Sequence, residues 1–352
     1  MTDFEEFIRT MPKVELHVHL EGSVRPATFL KLANIHHIAL PADTIEGLRE
    51  WYRFRDFSHF IEIYMAISSC LRTPDDIELI TREFLAGQAD QNILYSEVTF
   101  TPYNQLLNCQ LDMHTQLDAV NRARAWAERE LGVRMGVIVD IPRERSAESA
   151  LTVAQFVVDR YGDGIIAQGL GGPEIGNPPS KFRRAFETIQ AAGIPCVIHA
   201  GETDGPKSIW NAIEIARPVR IGHGVRCIED PKLMDYLKDS QLPLEVCPTS
   251  NICLGVFRSL QEHSLPRLLA HGLRVTLNSD DPPLFNTTLT DEFLVSSTHF
   301  GWDALLVKRL LTDAIEVSLL PRSEKAAFRQ DFLRRFSELE SKLISTQKHA
   351  KN

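Results

Sequence analysis

Short apolar runs alternate with longer stretches whose apolar positions recur at helical spacing along almost the whole chain. The short runs predict strands at 14–20 (VELHVHL), 93–100 (ILYSEVTF), 133–140 (VRMGVIVD), 164–170 (GIIAQGL), 195–199 (PCVIH), 220–223 (RIGH), 243–247 (PLEVC) and 274–278 (RVTLN). Most are rich in Val, Ile and Leu, the pattern of parallel strands covered on both faces. Amphipathic stretches at 74–90, 112–131, 147–160, 179–192, 206–216, 230–239 and 262–271 predict helices. So does 56–71, with Asp56 or Ser58 as its N-cap. Strands alternating with helices in this way predict an α/β protein, a (β/α)8 barrel of the TIM type. A doubly wound open sheet competes with it; the barrel is preferred because the chemically rich residues fall at the ends of several strands. Residues 25–71 are expected to form a helical insertion after the first strand, near the barrel mouth. Residues 289–346 are expected to be helical and to close the barrel from outside, with 1–352 forming one domain. The tail TQKHAKN is expected to fray.

Composition narrows the partners. The chain has 352 residues, 43% hydrophobic and 24% charged, which is ordinary globular composition, and α/β barrels reach this length as one domain. The net charge is -9 and no basic block occurs, so no nucleic-acid partner is expected. Cys70, Cys109, Cys196, Cys227, Cys247 and Cys253 are scattered and form no CxxC pair. They read as reduced core thiols of a cytoplasmic protein. The N-terminal MTDFEEFIRT is acidic and lacks an apolar signal core. No run approaches the roughly 18 apolar residues of a membrane span, so no membrane partner is expected.

In VELHVHLEG (14–22), His17 and His19 are two apart on a predicted strand and therefore share a face. In a barrel that face can be the interior near the C-terminal mouth, while Val14, Leu16, Val18 and Leu20 turn towards the helices. An imidazole pair at this spacing can hold one zinc ion; two histidines hydrogen-bonded inside a polar core are the plainer reading. In VIHAGE (197–202), His199 ends a strand and Glu202 follows in the loop, where a carboxylic acid suits general acid–base work. A solvated loop glutamate is the commoner fate. In RIGHGVR (220–226), Gly222 and Gly224 flank His223 and permit a close backbone approach, or His223 is simply a hydrogen-bonded loop histidine. In LNSDDPPLF (277–285), Asp280 and Asp281 follow the last strand and face opposite ways, so different tasks are expected; turn chemistry is the alternative. A barrel gathers all these strand ends at one mouth, and three neutral imidazoles with one carboxylate suit zinc with room left for water. Two-metal hydrolytic barrels often use a modified lysine on a middle strand. GIIAQGLGGPE (164–174) has none, so a single ion is expected.

The ordered set PKVELHVHLEG, GLGGPE, HAGE, RIGHGVR, EVCPTSN and NSDDP, from about Pro12 to about Phe293, resembles the adenosine deaminase family of the amidohydrolase-type barrels. It is not the His/Cys/Cys zinc type that edits nucleic-acid bases, whose P-C-x-x-C signature is missing. The resemblance implies one Zn2+ held by His17, His19, His199 and Asp280. It further implies that Glu202 protonates purine N1, that His223 orients and activates the attacking water, that Asp281 contacts N7, and that the Gly172 N–H contacts N3. To donate to a ring nitrogen, Asp281 must be protonated, hence have a raised pKa.

The implied partner is a small purine nucleoside. EVCPTSN and NSDDPPLFNTTL resemble the branch acting on adenosine or 2′-deoxyadenosine, which is the first expectation. FRDFSHFIEIY (54–64), GLGGPEIG (169–176) and HAGETDGP (199–206) also resemble enzymes that deaminate aminodeoxyfutalosine, an adenine nucleoside with a bulky aromatic 5′ extension. That activity, or deamination of free adenine, is the alternative. Glu21 stands where the family contacts the ribose 5′ end, so substrate choice is expected there. Phe54, Phe57 and Phe60 are candidates to line a lid over base or ribose, or to pack as ordinary core. Two other classes compete: metal-assisted hydrolysis of an ester or amide ring, against which Glu202 argues, and a non-catalytic purine-binding barrel.

Overall fold

The computed structural model describes residues 3–349, with side chains through Ser341. All the predicted strands form: β1 (Lys13–His19), β2 (Ile93–Phe100), β3 (Arg134–Pro142), β4 (Ile165–Gly171), β5 (Cys196–Ala200), β6 (Arg220–His223), β7 (Leu244–Val246) and β8 (Val275–Leu277). They pair in sequence order, each parallel to the next, as a single 8-stranded sheet. The order excludes a doubly wound open sheet, in which the chain must reverse its direction of travel across the sheet. The sheet is a (β/α)8 barrel.

Closure between β8 and β1 rests on Asp280 rather than on a long ladder. The His19 N–H donates to Asp280 O (2.9 Å) and the Asp280 N–H to His17 O (3.1 Å). One turn below, the Asn278 side chain takes the Leu16 N–H at 2.9 Å in place of a backbone carbonyl. The β1–β2 register shifts between Glu15 and Val18. A bulge re-aims the side chains around it, and His17 lies inside this one. Glu15 accepts from Gln88, on helix Pro74–Asp90, and from Ser279, while Val14, Leu16, Val18 and Leu20 join the main hydrophobic cluster as expected.

Below the mouth, Ile138, Ala167 and Val197 form a small inner core capped by Leu319. Beside it runs a buried ionic string. Arg220 Nε donates to Glu245 Oε1 (2.5 Å), a second guanidinium nitrogen donates to Glu97, and Nη1 donates to Val317 O (2.9 Å). A fully buried pair survives only when its remaining hydrogen-bonding capacity is met, and Glu97 also accepts from the Tyr95 hydroxyl and the Leu319 N–H.

The insertion after β1 contains a short 3-10 turn (Glu21–Ser23) and helices Pro26–Ile35, Ile45–Tyr52 and Phe57–Ser69. Asp56, not Ser58, is the N-cap of the last, accepting from the His59 N–H at 2.9 Å. The expected C-terminal helical region is Leu289–Phe300, Ala304–Val317 and Arg322–His349. An N-terminal helix, Asp3–Thr10, adds to the pattern read from the sequence, and its Phe7 meets Phe336 edge-on at 5.1 Å. Of the tail expected to fray, the part from Ala350 onward lies outside the described residues. No described helix is long and apolar enough to cross a membrane, and all six cysteines are free.

Candidate functional site

His17 and His19 at the end of β1, His199 on β5, His223 at the end of β6 and Asp280 after β8 meet at the mouth. His17 Nε2 and His19 Nε2 lie 3.3 and 3.2 Å from Asp280 Oδ1, and His19 Nε2 faces His199 Nε2 at 3.1 Å. One donor atom from each of His17, His19, His199 and Asp280 lies within 4.8 Å of all the others. His17 Nε2 and His199 Nδ1 are buried with no hydrogen-bond partner. Facing ring nitrogens and unpartnered buried polar atoms are costly unless a cation or proton sits between them, so these residues fit a metal ion.

Second contacts orient the donors. Glu245 Oε2 lies 2.8 Å from His17 Nδ1, leaving Nε2 for the cluster; such carboxylate–histidine pairs fix tautomer and ring angle. The Ser250 hydroxyl donates to Asp280 Oδ2 at 2.7 Å. Burial opposes a charge on His17, but the facing carboxylates of Asp280 and Glu245 outweigh it and, without a metal, shift the ring well above its usual range. His199 is shifted the other way, by burial and by His17, His19 and His223, so it stays neutral. A second donor set swaps in His223 and Cys247. Burial raises the Cys247 thiol well above its usual value in the metal-free protein, and its sulfur lies 3.8 Å from Glu245 O as a donor.

Hydrogen bonding fixes the tautomer of His223. The Leu265 N–H donates to His263 Nδ1 (3.0 Å), so the neutral His263 carries its proton on Nε2 and donates to Asn251 Oδ1 (3.2 Å). The Asn251 amide nitrogen then donates to His223 Nδ1 (3.2 Å). Burial lowers His223 to about 3, so its ring is neutral with the proton on Nε2, facing Glu202 (3.6 Å) and Asp280 (3.8 Å). His223 and Asp280 also have left-handed backbones (φ 59 and 67). Strain of this kind costs of order 1–3 kcal/mol and gathers at working sites.

Glu174, from GLGGPE, organises the loop bearing Glu202: its carboxylate accepts from the N–H groups of Gly201, Glu202 and Thr203, each at 2.8 Å. Glu202 Oε1 and Asp281 Oδ1 are buried without partners. Burial, reinforced by the negative Asp280, raises both carboxyls well above their usual range. Two carboxyls shifted towards holding their protons therefore flank the cluster.

All of this borders a solvent-open cavity lined by His19, His199, Glu202, His223, Asp280, Asp281 and Gly172, with Phe57, Phe60, Ile61, Tyr64 and Met65 of helix Phe57–Ser69 forming one wall. Two expected contacts fall elsewhere. Glu21 is fully buried behind the lining, taken up by the Tyr64 hydroxyl (3.1 Å) and the Thr101 N–H (2.9 Å). Phe54 packs on Phe60 and Phe285 (ring centroids 5.5 and 5.7 Å) and does not line the cavity.

The family model described as "Adenosine deaminase" matches residues 12–334. The chain belongs to this family. Among adenosine deaminase relatives, an aminodeoxyfutalosine deaminase of Streptomyces avermitilis is 39% identical over 327 residues, 92% of this chain and 91% of its own. An adenine deaminase of Vibrio parahaemolyticus is 38% identical over 324 residues, 92% of this chain and 95% of its own. The crystal structure of adenine deaminase from Arthrobacter aurescens superposes with TM-score 0.88 at 33% identity, covering 94% of this chain and 100% of that one. The protein is a hydrolase of C–N bonds in cyclic amidines, and its reaction is hydrolytic deamination of adenine-type substrates. Glu174, Glu245, Ser250, Asn251 and Arg220 all fall inside the family's motifs as quoted above, but their partners lie far away in sequence. His263 lies outside those motifs.

Proposed function

We propose that this chain, as one barrel domain, deaminates a 5′-substituted adenine nucleoside of the aminodeoxyfutalosine kind, using one zinc ion held by His17, His19, His199 and Asp280. The observation that carries the reading is the cavity. Its apolar wall of Phe57, Phe60, Ile61 and Met65 offers a surface on which an aromatic 5′ group can pack. The Streptomyces avermitilis relative is named for that substrate. Free adenine is the second reading, favoured by the Vibrio parahaemolyticus and Arthrobacter aurescens relatives. These names support both substrates over adenosine, the first expectation from EVCPTSN and NSDDPPLFNTTL.

When bound, the ion supplies Lewis-acid activation, lowering the pKa of water to roughly 7. Water adds at C6 and ammonia leaves, so the amidine becomes a lactam. Glu202 delivers a proton to N1, the site of ring protonation, and its raised pKa keeps that proton available at neutral pH. Asp281, protonated for the same reason, donates to N7, and the Gly172 N–H meets N3. His223 donates from Nε2 and so orients and stabilises the oxygen at C6. The neutral ring as hydrogen-bonded here is a donor on that side, which favours the orienting part of the role the resemblance implies over the activating part. Phe57 and Phe60 cover the base and exclude solvent. A purine-binding barrel without activity would have no use for two protonated acids beside a metal-type cluster.

Two measurements test this. Ammonia release from aminodeoxyfutalosine, adenosine and adenine should give a kcat/KM at least about tenfold higher for the first, since apolar contacts are worth about that much in discrimination. A preference for adenine would shift the assignment to the second reading. Asn251→Ala, which releases the His223 tautomer, should lower kcat by about 10–100-fold with metal content retained, the usual range for partners that orient a site. Unchanged kcat would remove the donor role of His223.

A further inference from the structure

Close to the histidines of the mouth sits a carboxyl that the chemistry above does not use. Asp140, on β3, is only 3% exposed, and its Oδ1 is buried without a hydrogen-bond partner. No ion pair among the described residues involves it, and it lines the cavity together with Thr101, Asn104, Gly171 and Gly172. Asn104 Oδ1 is likewise buried and unpartnered.

The neighbouring strand gives up two side chains to make room for this carboxyl. Asp140 pairs in register with Gly169 of β4. A Cβ on Gly169 would stand 1.9 Å from Asp140 Oδ1, and one on Gly171 would stand 2.1 Å from Oδ2. Either contact would force the Asp140 carboxyl to shift, and glycine at both places lets it stay where it is. A buried acceptor without a donor is unfavourable unless a ligand completes it. The protein therefore has a built seat for donors that it does not itself provide.

The position says which donors. Glu202 on the β5 loop and Asp281 after β8 flank the reacting end of the base, so whatever hangs from the base leaves over the arc of β1 to β4, where Asp140 stands. Beyond the base, the hydrogen-bond donors of an adenine nucleoside are its sugar hydroxyls. We propose that Asp140, assisted by Asn104, accepts hydrogen bonds from the ribose 2′- and 3′-hydroxyls and is the residue that makes this site favour a riboside over a bare purine. This rests on the nucleoside reading above. It also moves the expected point of substrate choice from Glu21, whose oxygens are already taken by Tyr64 and Thr101, to β3.

The test compares kcat/KM for adenosine, 2′,3′-dideoxyadenosine and adenine in the zinc-loaded wild type and in Asp140→Asn, with metal content and melting temperature measured alongside. Wild type should favour adenosine over the dideoxy analogue by about 10–100-fold, the range for a hydrogen bond to a charged group. Asp140→Asn should close most of that gap and leave adenine turnover unchanged. An equal loss on all three substrates would assign Asp140 a structural or electrostatic role and overturn the proposal. So would a gap that persists in the variant. The wild-type comparison stands even if the variant fails to fold: equal turnover of adenosine and its dideoxy analogue refutes the assignment by itself. A wild type that prefers adenine to every nucleoside overturns the substrate reading and this inference together, whereas a nucleoside preference without a hydroxyl gap overturns only this inference.

Discussion

Glu202→Gln should lower kcat for deamination by about 10²–10⁴-fold, the usual contribution of a positioned proton donor, while the metal stays bound. The substitution keeps size and hydrogen-bonding atoms but removes the transferable proton. Glu202 is held by its loop rather than by its own carboxyl: Glu174 fixes the backbone N–H groups of Gly201, Glu202 and Thr203. The loop should therefore keep its shape in the variant. Burial and the negative Asp280 raise the Glu202 pKa, so in the wild type the acid limb of activity should extend to higher pH than an exposed glutamate would allow. Steady-state ammonia release and metal analysis on the same preparation check both halves. Full activity in the variant would mean that N1 is protonated by another group and would reopen the ester or amide class of reaction.

Removing the metal with a chelator should abolish activity and lower the melting temperature, with zinc restoring both. A ligand that binds only the folded state adds about 4 kcal/mol of stability at a thousandfold excess over its Kd. Here the buried donors have few other partners. The effect depends on pH in a direction set by the histidines. In the metal-free protein, burial works against a charged His19, but Asp281 where it is ionised, together with hydrogen bonding and attraction to Asp280, prevails and raises it to about 9. A raised histidine contributes stability that is complete below its unfolded pKa of about 6.5 and is lost as pH rises through the folded value. The metal-free protein should therefore weaken between about pH 6.5 and 9, and the gap between metal-bound and metal-free melting temperatures should widen over that interval. Metal binding displaces these protons, so retention of the ion should improve in the same direction. Thermal melts with and without chelator across the interval measure this; a gap that narrows with rising pH would contradict the proton–metal competition.

The barrel was legible because most strands are short Val/Ile/Leu-rich runs that alternate with amphipathic helical stretches, the pattern of buried parallel strands. The N-terminal helix Asp3–Thr10 was not, because eight residues give too few turns for a helical period to stand out. The histidine pair was legible from spacing alone, since side chains two apart on a strand share a face. The β1 bulge left that inference intact for His17 and His19, while Glu15 is taken up by Gln88 and Ser279. Glu21 and Phe54 show the limit. Motif position places a residue near the site but does not say whether a neighbour will claim it, and Tyr64, Thr101 and Phe285 did so here.

The sequence by itself determined the barrel, the ligand types at the ends of β1, β5, β6 and β8, and the class of chemistry, because local periodicity and ordered motifs are properties of neighbouring residues. Only the tertiary structure decided how those groups are tuned. Glu245 meets His17 across 228 positions and Asn251 meets His223 across 28. Asp140 stands unpartnered between two glycines of another strand. Protonation state, tautomer and the vacancy of a hydrogen bond depend on what lies within a few ångströms in space. Barrel closure alone brings those neighbours together.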